Sequence, residues 1–188
     1  GSIGIPSPDE VLPKEAALVE WVIGQLSQGR PCLVYVWHWD LMTRVRAALE
    51  RGLAAMDIGC GIGVWRPGSP DGAQRWAGTP ARVSVMDPGK VAPAKREAWI
   101  AAEAKKRCAV LLTNPAAVKT GINSLARWWC SAGWVEGPGC SPEIRRQATH
   151  RLWRMGQGRP VEVASFVYAG TMQAAMHELL MRKVGVSE

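Results

Sequence analysis

The sequence predicts an α/β domain in which a parallel sheet is sandwiched by helices. Two observations carry this. Short apolar segments alternate along the chain with segments whose apolar residues recur at helical spacing. The short segments are also apolar throughout, without the in-out alternation of a half-exposed sheet, as strands covered on both faces must be. There are no internal repeats, so the alternation reads as one domain over residues 3–188. Gly1 and Ser2 read as a cloning scar.

Each element follows from its residues. PKEAALVEWVIGQLSQ (13–28) places Ala17, Leu18, Trp21 and Val22 on one helical face, with Gln25 the only interruption before Leu26, and Gly29 ends it. PCLVYVW (31–37) is a buried strand of β-branched and aromatic residues. Asp40 suits the N-cap of LMTRVRAALERGL, with Gly52 as its stop. VSVM (83–86) is the second strand, and PAKREAWIAAEAKKR (93–107) a helix with proline in its first turn. CAVLLTN (108–114) is the third strand and LARWWC (125–130) the fourth. SPEIRRQATHRLWRM (141–155) is a helix, VEVASFVY (161–168) the fifth strand, and TMQAAMHELLMRKV (171–184) the closing helix. The foreign piece is the Gly-, Pro- and Trp-rich stretch at about 54–82, a loop insertion on the sheet.

Composition narrows the partners. At 188 residues, with 47% apolar and 21% charged side chains, the chain is an ordinary globular one. Its net charge of +7 favours an anionic partner, a nucleic acid or a nucleotide. Cys32, Cys60, Cys108, Cys130 and Cys140 form no CxxC pair and no metal-ligand spacing, which fits a reduced, cytoplasmic protein without a metal site. No apolar run approaches the ~20 residues of a membrane span, so no membrane partner is expected.

Two glycine segments raise nucleotide chemistry and fall short of it. DIGCGIG (57–63) spells the loop with which S-adenosylmethionine methyltransferases hold their cofactor, and LLTNPA could pass for a degraded NPPY motif. That loop needs a strand before it and a helix after it, so that backbone N–H groups face the ligand. Here VRAALERGLAAM precedes it with a helical pattern, and Pro67, Gly68 and Pro70 break any helix behind it. A glycine-rich surface loop is the simpler reading, with the methyltransferase as third alternative. PGKV (88–91) lacks both the upstream Gly and the Ser/Thr of a Walker A loop, so the chain has no phosphate cradle of its own.

The most informative stretch is QATHRLWRMGQGRP (147–160), which with Arg145 and Arg146 places five arginines against a buried strand. A solvated charged face is the plain reading. However, QATHRLWRMGQ resembles the last signature motif of superfamily 2 helicases of the Swi/Snf type, QAxxRxxRxGQ, through Gln147, Ala148, Arg151, Arg154, Gly156 and Gln157. LLTNPAAVKTGIN (111–123) resembles that family's motif V, and PCLVYVWHWDLMTRV stands where its motif IV belongs. VAPAKREAWIA and RPVEVASFVYAGTMQAAMHELLMRK are similar to its later helix and its closing strand, Gly-Thr turn and helix. The wording TNPxxVxTG and RQAxxRxWRxGQ is closest to the strawberry-notch-like and mobile-element branch. The resemblance spans about residues 13–184 without the insertion. Two departures stand out: motif V ends GINS where Leu usually follows the Asn or Asp, and CSAGWVEGPGCSP lacks the acidic strand end.

The resemblance implies a second RecA-like lobe, a P-loop NTPase fold without its own P-loop, cut from a longer polypeptide whose first lobe supplies Walker A and the acidic metal motif. ATP and Mg²⁺ would be bound through that partner lobe and not by this chain alone. Arg151 and Arg154, one helical turn apart, would reach one γ-phosphate as arginine fingers, and planar guanidinium groups suit that task better than lysine. Gln147, Gly121, Asn123 and Gln157 would line the ATP side. Thr113, Lys119, Thr120 and His38 would meet a nucleic-acid backbone, DNA rather than RNA. A turn and a solvated Lys remain the bland alternative for Lys119 and Thr120. Trp37, His38 and Trp39 follow a strand end, where ligands collect, but edge aromatics also simply close a core. Trp128 and Trp129 read as packing, His150 and His177 as structural or solvated. The alternative in another class is a nucleic-acid-binding module without ATPase activity.

Overall fold

Pro13 opens α1 (Pro13–Ser27), where a missing N–H is tolerated, and Leu12 N donates to Glu15 Oε2 at 2.9 Å across the first turn. Gly29, at φ 69°, turns the chain out of the helix. The remaining elements are β1 (Cys32–Val36), α2 (Trp39–Ala55), the two-residue strands β2 (Gly63–Val64) and β3 (Gln74–Arg75), and β4 (Arg82–Met86). A 3₁₀ turn (Pro93–Lys95) leads into α3 (Arg96–Lys105), followed by β5 (Cys108–Thr113), α4 (Pro115–Val118) and α5 (Leu125–Trp128). Then come β6 (Ser131–Val135), α6 (Pro142–His150), β7 (Glu162–Phe166) and α7 (Met172–Gly185). The computed structural model describes residues 10–55, 63–64, 74–75, 81–106, 108–118, 121–135, 141–155 and 157–185.

Five strands form one all-parallel sheet in the order β4-β5-β1-β6-β7. β1, β5 and β6 are buried along their whole length, which is why their sequences carry no alternation. Cys32, Val34 and Val36 point to the face covered by Leu18, Val22 and Leu26 of α1 and Met42, Val45, Leu49 and Leu53 of α2. Leu33 and Tyr35 point to the other face, against Ile100 of α3, Val118, Leu125, Trp129 and Ala148. From β1 the chain crosses outward to edge strand β4 over the α2 face, then returns to β5 over the α3 face. Travel and face reverse together, which keeps one hand for every crossover. The loops after neighbouring β1 and β5 therefore leave in opposite directions and open a crevice at the carboxyl ends of the strands. No helix among the described residues is long and apolar enough to cross a membrane.

Four expectations about the elements are corrected. LARWWC is not a strand: Leu125–Trp128 form helix α5, and the fourth long strand is SAGWV (131–135). Its small residues disguise it, and Gly133 has a packing reason, because a Cβ there would lie 2.9 Å from Trp21 Cζ3 of α1. Gly52 does not stop α2, which runs on to Ala55. It marks instead where α1 comes closest, since a Cβ there would lie 2.3 Å from Val19 Cγ1. Asp40 lies inside the first turn of α2, not before it. The helix expected to reach residue 155 ends at His150, with Arg151 as its C-cap.

Candidate nucleotide and nucleic-acid edge

The run of arginines divides by burial. Arg145 is 5% exposed, with its guanidinium carbon 4.8 Å from the centre of the Trp134 ring and a hydrogen bond to Ser165 Oγ. Tyr35 Oη donates to Ala148 O at 2.9 Å, so α6 is fastened to the middle of the sheet from beneath. Arg159 donates to Gly29 O on the amino-terminal side of the sheet. Arg146 is exposed on α6.

Arg151 and Arg154 lie in the turn that follows α6, whose start is tightened by Arg151 N to Ala148 O at 3.3 Å and Leu152 N to Thr149 O at 3.0 Å. Leu152 is fully buried and anchors this turn, leaving the arginines on either side of it. Both guanidinium groups converge on Asn123: Arg154 Nη1 donates to its Oδ1, and Arg151 Nη1 reaches the same oxygen at 3.4 Å and Ile122 O at 3.2 Å. Gly121, at φ 74°, makes the turn that presents Ile122 and Asn123, with Ile122 buried and Asn123 exposed. Burial first, and the adjacent Arg154 second, lower the pKa of Arg151, against the opposing influence of Tyr35 and Glu97. Two guanidinium groups thus meet at one neutral oxygen, and an anion brought there would relieve the repulsion of Arg154 on Arg151.

The other expected residues are placed as follows. Gln147 donates to Glu143 Oε1 at 3.0 Å along α6 and is half-buried. Gln157 turns inward: its Nε2 donates to Trp129 O at 3.1 Å and Leu152 O at 3.3 Å, holding the turn against the sheet. Thr113 is fully buried at the end of β5. His38 is exposed beyond β1, where Asn114 Nδ2 donates to Trp37 O at 2.7 Å and ties the two strand ends across the crevice. Lys119, Thr120 and Gly156 lie outside the described residues, as do residues 57–62 of the DIGCGIG segment. The residues up to Ala55 belong to helix α2, where a cofactor loop of the methyltransferase kind requires a strand. Among the described residues no three His, Cys, Asp or Glu side chains gather as a metal site would need.

Sequence reasoning missed Glu97. It opens α3, where an acidic residue reads simply as a complement to the helix dipole. In the fold its Oε2 accepts Asn123 N at 2.9 Å from 26 residues away.

No family profile matches this sequence, and no curated protein matches it. Solved structures do. The C-terminal part of the Fun30 ATPase domain is 18% identical, with a TM-score of 0.64 over 94% of this chain and 48% of that one. The SWI2/SNF2 ATPase core of Sulfolobus solfataricus, solved in complex with dsDNA, is 18% identical, with a TM-score of 0.61 over 97% of this chain and 32% of that one. The chain thus spans about half and a third of the lengths of these two structures. At such identity the likeness is one of fold: a RecA-like α/β lobe.

Proposed function

We propose that this chain is the second RecA-like lobe of an ATP-dependent nucleic-acid translocase or helicase of the Swi/Snf type, closest to the strawberry-notch-like and mobile-element branch. The observation that carries this reading is the convergence of Arg151 and Arg154 on the single neutral oxygen of Asn123. A pair of guanidinium groups so placed suits the charge that spreads over γ-phosphoryl oxygens during hydrolysis. The residues fit a nucleotide's phosphates and not the whole nucleotide. ATP and Mg²⁺ are then held by an N-terminal lobe of the same parent polypeptide, which supplies the phosphate cradle and the metal ligands. Asn123 and Gln147 face that nucleotide, and Gln157 serves it by holding the arginine turn.

Nucleic acid runs along the carboxyl ends of the strands, past His38 and the loop that holds Lys119 and Thr120. The crevice between the loops after β1 and β5, the net charge of +7 and the dsDNA bound to the archaeal neighbour support that assignment and favour DNA. The test is complementation. The isolated chain hydrolyses no ATP, whereas a polypeptide joining it to a Walker A lobe of the parent does so in a nucleic-acid-stimulated manner. Turnover by the purified chain alone refutes the two-lobe reading. Micromolar binding of S-adenosylmethionine, seen as a thermal shift, would favour the methyltransferase instead.

A further inference from the structure

The first two residues of α3 hold the chain at two points, Ala117 of α4 and Asn123. Arg96 Nη1 donates to Ala117 O at 2.9 Å while its Nε donates to Val91 O at 3.2 Å, fixing the first point. Glu97 Oε2 accepts Asn123 N at 2.9 Å and fixes the second. The fastening is unusual in its economy, because Asn123 is where both arginines rest: its N–H is held by Glu97 while its Oδ1 receives Arg151 and Arg154. The position of that oxygen therefore depends on the Glu97 carboxylate. Behind Glu97, Ile100 is fully buried and ties α3 to the sheet, so the carboxylate stands on a rigid base.

We infer that Glu97 is a positioning residue for the arginine pair, acting through the backbone of Asn123. The inference rests on the arginine-finger reading above. Glu97 touches neither nucleotide nor nucleic acid in this assignment; it sets where the acceptor shared by the two guanidinium groups lies, and so where they point when phosphate replaces that acceptor. Its negative charge beside Arg151 is a second, weaker contribution, and the two are separable. Glutamine keeps an acceptor oxygen at the same reach without the charge. Aspartate keeps the charge but withdraws the oxygen by one methylene.

The experiment uses the two-lobed parent polypeptide and measures nucleic-acid-stimulated turnover, KM for ATP and melting temperature. Glu97→Ala is expected to lower kcat by about tenfold, with KM for ATP changed by less than about twofold, because an interaction serving the transition state is lost and not one serving nucleotide binding. Glu97→Gln is expected to recover most of the rate and Glu97→Asp little of it, at wild-type melting temperature. In the isolated chain, the Asn123 amide should exchange its hydrogen faster in Glu97→Ala and Glu97→Asp than in Glu97→Gln. Should Glu97→Ala fail to fold, the Gln and Asp variants carry the comparison alone. Normal kcat in Glu97→Ala or Glu97→Asp, beside an inactive Arg154→Lys, overturns the inference and leaves the function standing. Equal loss in the Gln and Ala variants overturns it as well, since the acceptor would not then be what matters. Active Arg151→Lys and Arg154→Lys variants would instead remove the reading beneath it.

Discussion

Two polar clusters in this fold hold arginine in different electrostatic settings. On the amino-terminal side of the sheet, the Glu162 carboxylate accepts Trp21 Nε1 at 3.0 Å and Gln25 Nε2 at 2.8 Å, and pairs with Arg30 at 3.2 Å. Gln25, 4% exposed, passes the network on by accepting Ser131 Oγ at 2.7 Å. One negative charge there meets one positive charge and two neutral donors. At Asn123 the arrangement differs: Arg151 and Arg154 both reach one neutral amide oxygen, with the Glu97 carboxylate held on the Asn123 N–H beside them. A set of groups whose only task is to hold a fold tends toward the first arrangement, since every unbalanced buried charge lowers stability. The second arrangement sets two guanidinium groups side by side, which suits the phosphate proposed for it.

The sharpest way to break this contrast is to change the arginines while keeping their charge. In the two-lobed enzyme Arg154→Lys should still bind nucleotide but lose turnover by on the order of a thousandfold, about 4 kcal/mol of transition-state stabilisation. Arg151→Lys should behave likewise, and the double variant should lose little more than either single one if the pair acts as a unit. Arg146, exposed and one residue outside the matched motif, is the control, and Arg146→Lys should leave turnover near normal. Melting temperatures of all four variants should stay close together. Loss of activity that tracks loss of folding would place the arginine pair in the same structural category as the Glu162 cluster.

The scaffold cluster predicts the reverse pattern, a loss of stability without a change in chemistry. Glu162→Ala strips the acceptor from the buried Gln25 amide and from Trp21 Nε1, and should destabilise the isolated chain by about 2 kcal/mol in urea unfolding. Glu162→Gln retains one acceptor and should cost less. Gly133→Ala is of similar size, about 1–3 kcal/mol, because its Cβ would press on Trp21 and on Leu18 Cδ1 at 3.3 Å, and Trp21 is itself a donor to Glu162. A Glu162→Ala variant as stable as wild type would show that the network contributes nothing and would undo the comparison from its structural side.

How much of this was legible beforehand follows from the same division. The strands of the central sheet were readable because burial on both faces leaves an apolar run and nothing else, as in CLVYV and CAVLLT. SAGWV was missed because close approach of α1 demanded small residues, and its apolar neighbour LARWW drew the assignment instead. Gly52 misled for a related reason: a glycine required for helix packing looks like one required for a helix end. The arginines and Asn123 were legible as a spacing pattern with a family likeness, although the helix beneath them ends sooner than its periodicity suggested. Glu97 was not legible at all, because its partner is a backbone N–H 26 residues away and backbone amides leave no trace in side-chain spacing.

The smallest expected effect, and the one that sharpens the contrast most simply, is a dependence on salt. A paired cluster should respond weakly to ionic strength, whereas a chain of net charge +7 should respond strongly to it through whatever polyanion it binds. Nucleic-acid binding by the isolated chain is therefore predicted to be weak and indifferent to sequence, as contacts to a sugar-phosphate backbone are. Its log K should fall against log salt by about 0.7 to 0.9 for each phosphate neutralised. Lys119→Ala should flatten the slope by roughly one such contact while weakening all sequences alike. His38→Ala should weaken binding to all sequences alike. Over the same range of salt, the melting temperature of the unliganded chain should move little, since the paired Arg30 and Glu162 are in direct contact at 3.2 Å and half-buried. Fluorescence anisotropy with a short duplex and its single strand, in three salt concentrations, measures the slopes, and differential scanning fluorimetry in the same buffers measures the stability. A slope near zero would mean that the net positive charge serves no polyanion, and the anion proposed at Asn123 would be the nucleotide alone.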